Sequence, residues 1–114
     1  MDIEGDGKRV TIYVGESDRY GHKALYEAIV ELLRREGCAG ATVFKGIMGF
    51  GGASRIHTAN ILRLSEDLPV AIVFADTAER VDAVLPKIDE MITGGGLVVT
   101  EDVHIYRYTH GDGE

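Results

Sequence analysis

Polar and apolar positions alternate with a period of two near the start of the chain. Val10, Ile12 and Val14 fall on one face of residues 8–15, and Thr11 and Tyr13 fall on the other. This is the pattern of a half-buried strand. The period then changes. Over 22–36, Leu25, Ile29, Leu32 and Leu33 recur at helical spacing and Gly37 supplies a stop, which predicts a first helix. Residues 39–46 are β-rich through Thr42, Val43 and Phe44, and 69–75 form a continuous apolar run, giving a second and a third strand. Thr77, followed by Glu79, is placed to cap a second helix with the stripe Val81, Val84, Leu85, Ile88 and Ile92. Pro86 lies inside that stripe, so a kink or a helix in two pieces is expected. After Gly94, Gly95 and Gly96, residues 97–100 and 102–108 alternate as a last strand, with a bulge expected near Glu101 and Asp102. Residues 1–7 and 109–114 are expected to be mobile tails of a single domain spanning 1–114.

The order strand, helix, strand, strand, helix, strand is that of an α+β, ferredoxin-like βαββαβ sandwich. Right-handed crossovers place both helices on one face of a four-stranded antiparallel sheet. The third strand is apolar on both sides, while Tyr13, Thr42 and Phe44 lie opposite the core-facing set. The helix-free face is therefore expected to be apolar and to drive self-association.

Composition narrows the classes. At 114 residues there is room for one core, and no apolar run approaches the length of a membrane helix. Together with an acidic N-terminus lacking the marks of a secretory signal, this gives the expectation of a cytoplasmic protein. A formal net charge of -7 argues against nucleic acid as a partner, because such affinity rests on Lys and Arg neutralising phosphates. One cysteine, Cys38, excludes an intrachain disulfide. His22, His57, His104 and His110 show no metal-ligand spacing, and no nucleophile and base are paired in the pattern that catalysis requires. No enzyme activity and no metal site are expected.

The 15 glycines are in excess, and many of them cluster. Gly46, Gly49, Gly51 and Gly52 begin the long segment 47–68, which is too long for an idle connection. Glycine lets backbone N–H groups approach an anion closely, and Lys45 and Arg55 flank the cluster with positive charge. The same glycines would also serve a loop that merely needs turns. Arg55 and Arg63 are suited to grip a phosphate or carboxylate, with His57 as a hydrogen-bonding partner. Alternatively, Ile56, Ile61 and Leu64 pack a short extra element. Gly94, Gly95 and Gly96 are a helix stop, or a second donor-rich backbone facing the same ligand.

The motifs Gly-Ile-Met-Gly-Phe-Gly at 46–51, Ser-Arg-Ile-His-Thr at 54–58, Ser-Glu-Asp-Leu-Pro-Val at 65–70, Gly-Leu-Val at 96–98 and Glu-Asp-Val at 101–103 resemble the PII-like (GlnB-like) superfamily. Within it they are most similar to the branch known as domain of unknown function 190. The resemblance implies a homotrimeric signalling protein whose segment 47–68 corresponds to the PII T-loop. It also implies that a small anionic ligand, an adenine nucleotide in PII proteins, occupies clefts between subunits. Carried over by position, the ligand site comprises Lys45, Gly46, Gly49, Phe50, Gly51, Arg55, His57, Gly94, Gly95, Gly96 and Arg107. The loop after the second helix lacks the lysine found there in nucleotide-binding PII proteins, so Lys45, Arg55 or Arg63 would supply the charge. The long segment would contact a target protein, and links of this branch to fluoride-exporting membrane proteins make a transporter the implied partner. The alternative is a metal-tolerance protein resembling CutA, with the same fold and trimer but a divalent cation as ligand.

Overall fold

The computed structural model describes residues 2–51 and 67–111. Its elements are β1 (Asp2–Gly15), β2 (Arg19–Tyr20), β3 (Lys23–Ala24), α1 (Leu25–Arg35), β4 (Thr42–Lys45), β5 (Pro69–Asp76), α2 (Ala78–Met91) and β6 (Leu97–Thr109). The main sheet has the order β4-β5-β1-β6 with every neighbouring pair antiparallel. This is the expected ferredoxin-like arrangement.

The core lies between one face of the sheet and the two helices. Val10, Ile12 and Val14 of β1 and Val70, Ile72 and Phe74 of β5 meet Leu25, Ala28, Ile29, Leu32 and Leu33 of α1 and Val81, Val84, Ile88 and Met91 of α2. The stripes in the sequence anticipate this set except for Ala28 and Met91, with Leu85 and Ile92 packed at its margin. Burial of each large apolar side chain contributes about 1.5–3 kcal/mol before the cost of ordering it.

The helix termini follow local chemistry. Gly37 adopts φ +79°, its N–H donates to the Arg34 carbonyl at 3.1 Å and the Cys38 N–H donates to the Leu33 carbonyl at 3.0 Å. These are the two bonds of a Schellman C-cap. Arg80 Nη1 donates to the Glu36 and Gly37 carbonyls, both at 2.8 Å, tying the end of α1 to the start of α2. Thr77 caps α2 by accepting from the Arg80 N–H at 3.2 Å. Buried Asp76 accepts from the N–H groups of Ala39 and Thr77, so its carboxylate organises the entries to β4 and α2.

Several boundaries differ from expectation. Helix α1 begins at Leu25 rather than His22, because Arg19–Tyr20 and Lys23–Ala24 form a small hairpin around Gly21 at φ +63°. Pro86 lies inside a single helix, α2. Strand β6 is continuous through Glu101 and Asp102, and the register shift falls instead between Ile3 and Gly5, opposite Tyr108 and Ile105. The expected mobile lead-in is strand over Asp2–Gly7, paired with the far half of β6, and Thr109 closes that ladder. Its glycines and acidic residues carry no strand pattern of their own. Pairing with β6 supplies the order, and a Cβ at Gly7 would lie 2.6 Å from the Asp76 carbonyl oxygen. Residues 112–114 lie outside the described residues.

The helix-free face is organised in transverse rows. Leu97, Tyr13, Ala71 and Phe44 form one, and Val99, Thr11, Val73 and Thr42 form the next. Tyr13 is 44% exposed, Phe44 59% and Leu97 56%, an apolar surface with no helix over it. Arg9 and Glu101 bound it with a two-point ion pair at 2.9 and 3.0 Å.

Candidate functional site

The antiparallel register brings four strand ends together. Gly15 faces Pro69, Lys45 faces Val70 and Tyr13 faces Leu97, so the ends of β1 and β4 and the starts of β5 and β6 share one end of the sheet. Both glycine-rich segments project from this end. They lie at opposite edges of it, with β5 and β1 between, a separation of about 14 Å at ordinary strand spacing.

The first segment is fixed by packing as much as freed by glycine. The Gly46 N–H donates to the Pro69 carbonyl at 2.7 Å and is thus engaged inside the fold. A Cβ at Gly46 would lie 2.9 Å from Pro69 Cγ and 3.1 Å from its carbonyl oxygen. Gly49, at φ +152°, lies against the same proline ring. Ile47, Met48 and Phe50 are exposed, and around Gly51 a Cβ would meet no described atom within 4 Å.

In the second segment, Gly96 is the crowded position. A Cβ there would lie 2.9 Å from Ile92 Cγ2 and 3.5 Å from the Tyr13 carbonyl oxygen. Gly94 is open among the described residues, and Gly95 is half-buried between them.

Lys45 supplies the positive charge at this end, and it is already engaged. Its Nζ lies 2.7 Å from Glu16 Oε2, with the two side chains 57% and 30% exposed. That hydrogen bond and the attraction of the carboxylate raise the Lys45 ammonium above its ordinary value. Glu16 sits in the turn after β1, a polar stretch without hydrophobic periodicity. The turn contacts both flanks of the long segment. The Glu16 N–H donates to the Leu68 carbonyl at 2.9 Å, and the Ser17 N–H donates to Asp67 Oδ1 at 3.1 Å. Asp18 closes the turn by accepting from the Gly15 N–H at 2.9 Å. The one signal in the sequence was the Glu-Ser-Asp run directly after a strand-ending glycine.

Of the remaining candidates, Arg107 lies ten residues along β6 from Leu97, roughly 33 Å away at 3.3 Å per residue, so one chain does not bring it to the glycine-rich end. Arg55, His57 and Arg63, and the extra element expected around Ile56, Ile61 and Leu64, lie outside the described residues. Among the described residues no group of three or more His, Cys, Asp or Glu is placed to hold a metal ion. Nor is any helix among them long and apolar enough to cross a membrane.

The fold is that of PII-like proteins. It overlays CPII from Thiomonas intermedia K12, solved with ADP, AMP and acetate, at a TM-score of 0.64 and 20% identity, covering 88% of each chain. A putative PII-like signalling protein from Thermus thermophilus gives 0.61 and 19%, covering 91% of this chain and 94% of that one. The chain belongs to the family of domain of unknown function 190, described as "Uncharacterized ACR", whose model matches residues 7–105. A UPF0166 protein of Methanocaldococcus jannaschii is 41% identical over 100 residues, covering 88% of this chain and 92% of the relative.

Proposed function

We propose that this chain is a non-enzymatic PII-like signalling protein that binds a small anionic ligand of the adenine-nucleotide class. The ligand sites are clefts between the subunits of a homotrimer, and the segment 47–68 is presented to a target protein. The observation that carries this reading is the convergence of both glycine-rich segments and Lys45 on one end of the sheet. Within one chain the two segments are about 14 Å apart, too far to close on one phosphate group. A neighbouring subunit would bring one segment up to the other. It would also bring a residue such as Arg107, remote in its own chain, to a cleft.

Two facts support the details. CPII, which shares the fold, was solved with ADP and AMP. The apolar rows on the helix-free face supply a surface whose burial favours association. Lys45, Gly46, Gly49, Phe50, Gly51, Arg55, His57, Gly94, Gly95, Gly96 and Arg107 remain the proposed ligand-binding set. A membrane transporter remains the proposed target.

Titration calorimetry with ADP, AMP and ATP, alongside sedimentation of the same sample, tests the reading. The expected result is saturable binding of at least one nucleotide by a trimer, with the nucleotide recovered intact. A folded trimer that takes up none of the three would overturn it. Arg55→Ala is expected to weaken binding at least tenfold while leaving the trimer unchanged.

A further inference from the structure

We propose that Glu16 is a built-in competitor for the ligand: its carboxylate occupies the Lys45 ammonium in the empty protein, and an incoming phosphate displaces it. This inference rests on the anion-binding reading of the glycine-rich end and adds its regulation. Three contacts single out the turn that holds Glu16. Its side chain pairs with Lys45 at the end of β4. Its backbone N–H holds the Leu68 carbonyl just before β5, and the neighbouring Ser17 N–H holds Asp67. The turn therefore joins the two flanks of the segment 47–68, by a side-chain ion pair on one flank and by backbone bonds on the other.

The two attachments respond differently to an anion. A terminal phosphate offers Lys45 more negative charge than one carboxylate does, and the Lys45 side chain, 57% exposed, is open to an incoming anion. The bonds to Leu68 and Asp67 involve no cation and are indifferent to the ligand. Binding thus frees the turn from the β4 flank and leaves it on the β5 flank, so that occupancy changes how the base of the segment is held. The same exchange sets a threshold. A ligand must displace Glu16 from Lys45, which favours polyphosphates over anions of single charge.

The test is a double-mutant cycle read by calorimetry with ADP on the intact oligomer. Glu16→Gln keeps the shape of the side chain and removes the competing charge, and is expected to tighten ADP by a factor of about three to ten. In a Lys45→Gln background the same change is expected to alter affinity by less than about twofold, because the group competed for is gone. Equal tightening in both backgrounds would make Glu16 a source of general repulsion and overturn the proposal, as would unchanged or weaker binding in Glu16→Gln alone. ADP binding that ignores Glu16 removes this inference only, as does binding of AMP or ATP but not ADP, whereas absence of binding of all three in the parent and every variant removes the nucleotide reading and this inference with it.

Discussion

At the scale of residues, the glycines divide by what a methyl group would meet. Gly46→Ala drives a Cβ to 2.9 Å from Pro69 Cγ and 3.1 Å from the carbonyl oxygen that accepts the Gly46 N–H. The backbone atom cannot swing aside, so the strand ends must separate, and a loss of about 1–3 kcal/mol is expected in urea unfolding. Gly37→Ala meets the flexible end of Arg80, but a residue at φ +79° is strained in any surroundings, and about 1 kcal/mol is expected. Cys38 offers a chemical check. Burial first, and then the charge of Asp76, push its thiol above the ordinary value, although Arg80 opposes them. Alkylation by iodoacetamide at about pH 8 should therefore run severalfold slower than for an unstructured thiol, and urea should restore the ordinary rate.

At the scale of elements, caps and cross-strand pairs locate what the hydrophobic pattern only sketches. Thr77→Ala removes the side-chain acceptor for the Arg80 N–H and is expected to cost about 1 kcal/mol, read as a shift of the unfolding midpoint with unchanged slope. The β1–β6 register places Arg9 opposite Glu101, and their hydrogen bond and attraction hold the Glu101 carboxyl below its ordinary 4.5. A carboxyl depressed in the folded state contributes stability above its unfolded value and loses it as pH falls through the folded one. The difference in thermal midpoint between the parent and Glu101→Gln should accordingly be constant above about pH 5 and vanish at lower pH. Both side chains are half-exposed, so about 1 M salt should shrink it as well.

At the scale of the molecule, the question is what covers Tyr13, Phe44, Leu97 and Val99. One charge at the centre of these rows would be buried without a partner in any assembly that used them. Val73→Glu, on a central strand, is therefore expected to convert the proposed trimer to monomer in sedimentation while leaving the helical circular dichroism signal in place. A trimer that survives the change would place the interface elsewhere. Because the glycine-rich segments lie at opposite edges of one sheet, the same variant should also abolish nucleotide binding. Loss of assembly and of ligand together would support sites that are incomplete in a single chain.

The sequence alone determined the order of the six main elements, though not the β2–β3 hairpin, and with it the ferredoxin-like sheet and the two helix stripes, because periods of about 2 and 3.6 are imposed by backbone geometry on any half-buried segment. Ile29, Leu32, Val84 and Ile88 already recur at the positions the core requires. The glycine excess was legible too, though not its meaning at each position. Only the tertiary structure decided that Gly46 and Gly49 rest on Pro69, that Asp2–Gly7 is ordered by the far half of β6, and that Lys45 is paired with Glu16. Each of these joins residues distant in the chain, and no local period records a contact made across a sheet. The sequence sets two glycine clusters toward one cleft between subunits, and the fold places them at one end of the sheet but at its two edges. Charge and spacing nominate groups for a site, whereas strand register fixes the distances between them.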